Sequence, residues 1–258
     1  MIKKSELETI LEDICPLAIS QAFKDKGHHD NSGGIIIQNE QINGILFALD
    51  ISKQAVEKAK DLGVNTIITH HPAIYYPIST LNVETVQGNA LISAIKYGYN
   101  VYSMHLNLDG ATGGIDDSLA KGLGAKTTTT LDKVYSENGY GKQFDVEETS
   151  MDNYIEFVKK NFDTQKVVAY GNSPVKRVAS FCGGGSTDAQ NYNGDADTIV
   201  TSDMPHHVIL ELVQKGKNVI LLTHYASEMY GFKIFYENVK KQLNGKVSCH
   251  LFDDVRYK

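Results

Sequence analysis

Three adjacent histidine pairs, His28-His29, His70-His71 and His206-His207, occur in a chain of 258 residues that has only nine histidines. Random placement would seldom put two side by side. The middle pair follows the apolar run Ile67-Ile68 and Thr69, and it precedes Pro72, so it reads as the carboxyl end of a strand. Successive side chains of an extended segment point to opposite sides. His70 and His71 are therefore poorly placed to share one ion, but each could serve one of two adjacent ions. Pro72 fixes the chain's exit and biases His71 towards extended geometry.

Two further segments carry candidate ligands. Asp109 stands after a strand-like run and before Gly110 and the Gly113-Gly114 pair. It fits two roles, a carboxylate projecting from the sheet edge or an ordinary turn-forming Asx. The Gly113-Gly114 pair, opening a helix, could offer free amides to an anion. His224 and Glu228 are spaced i, i+4, so on the first turn of a helix both point at one spot. A helix cap and a surface acid would give the same spacing. Three imidazoles and two carboxylates make a mixed N/O set, suited to Zn, Mn, Fe, Co or Ni rather than to Ca or Mg. With a bridging carboxylate such a set can hold two ions, which in two-metal hydrolytic sites lie ~3.5–4 Å apart.

The elements that must position these residues alternate between strand and helix, an α/β pattern. Ser5 and Glu8 have capping-box spacing before an apolar stripe of Leu7, Ile10, Leu11 and Ile14. Strands are expected at 44–49, 66–69, 100–104, 166–170, 177–181, 218–223 and 247–252. Helices are expected after Ser52, over 85–97, from Asp116 or Asp117 to about Gly122, near 152–160, over 205–215 and after Tyr225. The texture changes after Gly124, where the Thr127–Thr130 tract and Gly139/Gly141 look like a connection. This divides the chain into a first domain over 1–125, completed by 230–258, and a second over 126–229. Asp50 to His70 echoes Asp203 to His224, each reading Asp, helix, Gly-x-Asn, apolar strand, Thr-His, with one extra residue in the second copy. Ligands gather outside the carboxyl ends of strands in open α/β sheets.

Bulk properties narrow the function class. Net charge is -6 and no basic run exceeds two residues, so nucleic acid is not an expected partner. No apolar run is long enough to span a membrane. The N-terminus lacks the apolar core and cleavage site of a signal peptide, and the three cysteines form no CxxC, so a cytoplasmic protein is expected.

The segments Glu6–Pro16, Asp30-Asn31-Ser32-Gly33, Thr69-His70-His71-Pro72, His105–Ala120, Ser202–His207 and Thr223–Glu228 together resemble the Nif-three-like family, the GTP cyclohydrolase I type 2 homologues, over nearly the whole chain. The resemblance implies a two-domain fold of mixed sheets flanked by helices, with a metal site in the inter-domain cleft. It implies two divalent ions per subunit on His70, His71, Asp109, His224 and Glu228, and a ring-shaped homohexamer. The function it suggests is a metal-dependent hydrolase of GTP cyclohydrolase type on a nucleotide-like substrate, with Glu228, His105 or His207 moving protons. A non-catalytic metal-binding or regulatory protein is the alternative. No P-loop, dinucleotide fingerprint or guanine-specific NKxD motif is present to support nucleotide recognition independently. Where the family commonly has an aromatic WDNxGL stretch, this chain has His28-His29-Asp30-Asn31-Ser32-Gly33-Gly34. His28 and His29 read as solvated loop residues, and His206 and His207 as pocket or structural groups.

Overall fold

A computed structural model describes residues 1–257. In chain order its elements are β1 (Ile2–Lys3), α1 (Lys4–Ile14), α2 (Leu17–Asp25), β2 (Gly33–Ile36), β3 (Gln41–Ile42), β4 (Gly44–Ala48), α3 (Lys53–Leu62), β5 (Thr66–Thr69), α4 (Val86–Lys96), β6 (Asn100–Ser103) and α5 (Leu106–Gly110). There follow α6 (Ile115–Gly122), β7 (Thr129–Tyr135), β8 (Asn138–Thr149), α7 (Met151–Asn161), β9 (Val168–Tyr170), β10 (Val175–Ser180) and α8 (Ser186–Asn191). The chain closes with β11 (Thr198–Thr201), α9 (His206–Gln214), β12 (Asn218–Leu221), α10 (His224–Leu243), β13 (Ser248–Phe252) and a 3-10 turn at Val255–Tyr257. The fold is mixed α/β. Two compact units form, one of Met1–Leu108 with Phe232–Asp253, the other of Asp109–Gly231 with the C-terminal residues from Asp254.

The first unit is built on a five-stranded sheet in the order β13-β4-β5-β6-β2. Its first four strands run parallel and β2 is the antiparallel edge. Every residue of β4, β5 and β6 is buried, as expected for parallel strands covered on both faces. Alternation sorts β4: Leu46 and Ala48 pack with Ala55, Val56 and Ala59 of α3 and with Ala90, Leu91 and Ala94 of α4. Phe47 instead meets Phe232, Phe235 and Tyr236 of α10. Fully burying an aromatic side chain of this kind contributes roughly 1.5–3 kcal/mol. Helix α3 starts where the Ser52 side chain accepts from Ala55 N at 3.1 Å, and it stops at Gly63, whose φ of 67° is left-handed.

The second unit has a six-stranded sheet in the order β7-β8-β10-β11-β12-β9, parallel only within β10-β11-β12. Ala179, Ile199 and Val219 from those three strands pack with Ala189 of α8 and Val208 and Leu212 of α9.

Several local expectations need correction. The stretch expected to be a connection is the hairpin β7-β8, which turns at Ser136 with a left-handed φ of 54°. Its polar look comes partly from Lys142, which points inward to Asp117 at 2.9 Å and Thr130 Oγ1 at 3.0 Å. Neither Asp116 nor Asp117 caps α6; Gly114 occupies that position and both acids lie in the first turn. Helix α1 begins at Lys4 without a side-chain cap, so Ser5 and Glu8 form no capping box. Asp109 sits in the short helix α5 rather than in a turn directly after a strand.

The internal echo is real but its register differs. Asp50 pairs with His71 and Asp203 with His224, each across 21 residues. The two copies thus align without an insertion, Gly63 and Asn65 falling opposite Gly216 and Asn218. Matching Thr-His to Thr-His had put His70 opposite His224, whereas His70 stands opposite Thr223.

Candidate metal centre

In the first unit three imidazoles gather beyond the carboxyl ends of β5 and β6. Ring centroids of His70 and His71 lie 4.9 Å apart, those of His70 and His105 5.4 Å, and those of His71 and His105 6.1 Å. Each ring is held at Nδ1. The fully buried His70 donates to the Met104 carbonyl at 2.7 Å. His71 Nδ1 faces Asp50 Oδ1 at 2.8 Å, and His105 Nδ1 faces Asp30 Oδ1 at 2.7 Å. A carbonyl oxygen can only accept, so His70 carries its hydrogen on Nδ1 when neutral and presents the Nε2 lone pair.

Asp30 is itself buried and receives Ser20 Oγ at 2.5 Å and Ser32 Oγ at 2.7 Å. Burial alone would raise its carboxyl. Hydrogen bonds from His105, Ser20 and Ser32, with the charge interaction from His105, outweigh that and hold it at about 2. The carboxylate is therefore ionised at neutral pH and orients His105. The loop behind the rings is fixed as well, because Ser103 Oγ meets Thr69 Oγ1 at 2.9 Å and accepts from Ala73 N at 3.0 Å.

The second unit supplies carboxylates and one imidazole. His224 opens α10 with a carboxylate at each nitrogen: Asp203 Oδ2 lies 2.6 Å from Nδ1, and Glu228 Oε1 lies 3.0 Å from Nε2. Glu228 is 3% exposed, and the i, i+4 spacing is what brings it over the ring. Gly183, at φ 56°, completes the wall. A Cβ there would stand 2.4 Å from Glu228 Oε1 and 3.2 Å from His224 Nε2, so only glycine leaves this space open.

Asp109 is buried in the same unit, and the Cys182 thiol lies 3.5 Å from its Oδ1. Burial pushes the Cys182 thiol well up, reinforced by the charges of Asp109, Asp116 and Glu228. It is a protonated donor rather than a thiolate. Asp116 accepts from Cys182 N at 3.1 Å. Its complete burial drives the carboxyl up to about 8, against the lowering effects of Lys142 and of that one hydrogen bond.

Donor atoms of His70, His71, His105, Asp109 and Glu228 belong to groups that could hold a metal ion. Other candidates are placed differently. His206 and His207 are exposed on the first turn of α9, where the charge of His207 helps lower the Glu211 carboxyl, behind hydrogen bonds from Lys215 and Gln190. The His28 ring packs edge-on against Phe23. Gly113 offers no open amide to an anion, since its N–H donates to Asp117 Oδ2 at 2.7 Å. The sequence reading missed Asp30, Gly183 and the contact of Cys182 with Asp109. Asp50 and Asp203 were visible as the first residues of the internal echo, without a role attached.

Residues 2–255 match the Duf34/NIF3 (NGG1p interacting factor 3) family along almost their full length. The chain belongs to the Duf34/NIF3 family. Among Duf34/NIF3 relatives, a protein of Clostridium perfringens named GTP cyclohydrolase 1 type 2 homolog is 31% identical over 257 residues, 95% of this chain and 94% of that one. The NGG1-interacting factor 3 of Saccharomyces cerevisiae is 27% identical over 269 aligned residues, 94% of this chain and 91% of its own. A Bacillus cereus protein related to NIF3 shares the fold, with a TM-score of 0.87 at 20% identity, covering 97% of this chain and 96% of its own.

Proposed function

We propose that this Duf34/NIF3 protein holds two divalent metal ions on His70, His71, Asp109, His224 and Glu228, and acts as a metal-dependent hydrolase of GTP cyclohydrolase type. The substrate would be nucleotide-like. One observation carries the metal reading. His224 has a carboxylate at each ring nitrogen, Asp203 at 2.6 Å and Glu228 at 3.0 Å, and a neutral imidazole can donate to only one of them, so the other carboxylate faces an acceptor nitrogen. Two acceptors at that distance need a positive centre between them, a proton or a cation. The Nδ1-held rings of His70 and His71 support it, because metal-ligating imidazoles commonly give their other nitrogen to a carbonyl or carboxylate. The space kept by Gly183 beside His224 and Glu228 fits the same reading. The N/O composition of the ligand set suits Zn, Mn, Fe, Co or Ni.

Bound there, the ions would lower the pKa of a water and polarise the attacked group. The chain's own residues would manage the protons. His105, steadied by ionised Asp30, can take and return a proton at Nε2. Glu228 is a second carrier, whereas His207, exposed on α9 beside Glu211, has no contact among the described residues that links it to this chemistry. For a cyclohydrolase, one water adds to C8 of the imidazole ring of guanine and opens it to a formamide, and a second water cleaves that formamide to release formate. The resemblance that suggests this activity also supports a homohexamer, which light scattering would read.

Metal analysis of untagged protein is expected to give about two ions per chain. Asp109→Ala and His224→Ala should each lose most of it while remaining folded by circular dichroism. Formate release from GTP should stop on chelation and fall strongly in Glu228→Gln. A metal content near zero after reconstitution with Zn or Mn would sink the reading. The yeast relative is named an interacting factor, which favours a second reading, a metal-binding protein without turnover. Bound metal with no formate release would select it.

A further inference from the structure

The pair His28-His29 is not used by the metal centre, yet His29 belongs to a built cluster in the first unit. Its ring stacks on Tyr76 at 4.6 Å and 19°, and meets Tyr75 edge-on at 4.7 Å and 84°. Tyr75 and Tyr76 are themselves 4.7 Å apart at 78°. Backbone-directed bonds lock the arrangement. His29 Nε2 donates to the Tyr75 carbonyl at 2.6 Å, and Tyr75 OH donates to the His29 carbonyl at 3.1 Å. Asn31 Nδ2 adds a third tie, to the Ile74 carbonyl at 2.6 Å.

We propose that the open face of Tyr76, backed by His29 and Tyr75, is a stacking platform for a planar heteroaromatic ring, the base of a nucleotide-like ligand. Three details select this occupant. The three rings fill one another's space at 4.6–4.7 Å, so no gap remains for an onium ion, as an aromatic cage would need. Tyr76 nonetheless stays 64% exposed, and one face of a rigidly backed ring is thus left for a flat partner. The cluster also adjoins the chemistry, for Tyr75 stands edge-on to His105 at 5.9 Å and 89°, and His105 is next to His70. A base on Tyr76 would be held beside the imidazoles without occupying a ligand atom. Stacking tolerates any base, since every base has a π-face, so the platform sets the class of ligand rather than guanine itself. The choice of a nucleotide base as occupant rests on the nucleotide-like substrate of the proposed function, but the platform does not require that this ligand be hydrolysed.

The chain contains no tryptophan, so Tyr76→Trp introduces a sole indole reporter. In the full, metal-loaded protein its fluorescence should be quenched saturably by GMP and by guanosine, but not by ribose 5-phosphate. Calorimetry should show GMP binding weakened about tenfold in Tyr76→Ala, the effect of losing one stacked base. Tyr76→Phe should keep the native affinity, and metal content should be equal in all three variants. Unchanged GMP affinity in Tyr76→Ala, no quenching by GMP, or equal quenching by ribose 5-phosphate would overturn the platform. Quenching intact with no formate released from GTP would overturn the hydrolase reading and leave the platform standing.

Discussion

The two units contain the same device in different surroundings. In each, an aspartate before a helix holds, 21 residues later, a histidine beyond the next strand. In the first unit the chain then turns into Pro72, and the ring's neighbours are two more imidazoles. In the second the histidine opens a long helix, and its neighbour is the carboxylate one turn along. The buried acids diverge too. Asp30, with three donors, is held at about 2, whereas Asp116, with one backbone donor and two nearby carboxylates, is pushed up to about 8. Burial alone therefore does not set the charge of a buried acid; the donors and the charges around it decide as well.

The largest effect on this comparison should come from Gly183→Ala. The added Cβ must displace Glu228 or His224, and a left-handed residue other than glycine costs about 1–2 kcal/mol. We expect loss of most bound metal and a lower melting temperature. Native metal content in Gly183→Ala would mean that the second unit's pair of side chains is not part of the centre.

Asp50→Ala and Asp203→Ala test whether the repeated pairs are equivalent. Loss of such an outer partner typically weakens metal binding 10–100-fold. Similar losses in competition titrations would establish equivalence, and a loss confined to one would break it.

The buried acids predict opposite pH windows. Asp30 has a folded value below its unfolded 3.8, so it contributes stability that is full above pH 3.8 and lost as pH falls towards 2. Asp30→Asn should lower the urea midpoint at pH 6, with a difference on the order of 2 kcal/mol that shrinks towards pH 2. Asp116 has a folded value above 3.8, so its contribution is lost as pH rises from 3.8 to about 8. Asp116→Asn should flatten that decline. A decline unchanged in the variant would assign it to another group.

The smallest effect is expected at His28, whose ring packs on Phe23. His28→Ala should leave metal content unchanged, and an emptied centre would move the ligand set into this loop.

Much of this architecture was legible in the sequence where local chemistry and packing agree. Ser52 and Gly63 bracket α3 as cap and left-handed stop, β4 is apolar throughout, and β5 has the apolar centre Ile67-Ile68. The β7-β8 hairpin was not legible, because its strands carry threonines, glycines and an inward lysine whose charge partner, Asp117, comes from α6. Asp30 lies in a segment that carries the family resemblance but has no legible role, because its three donors are brought to it from α2, the following loop and the end of β6. The echo's register was misread for a related reason. Thr-His looked like the repeated unit, whereas the conserved relation between the copies is the distance from aspartate to histidine.

Both units also contain a thiol sealed in their interior, Cys15 in the first and Cys182 in the second, while Cys249 is only half-buried. Burial pushes each of the two sealed thiols well up, so neither reacts as a thiolate until water reaches it. An alkylating reagent applied under native conditions would mark Cys249 first, and the other two at the rate at which their own surroundings open. Mass spectrometry of the three peptides would then time the breathing of each unit separately, with reporters the chain already carries.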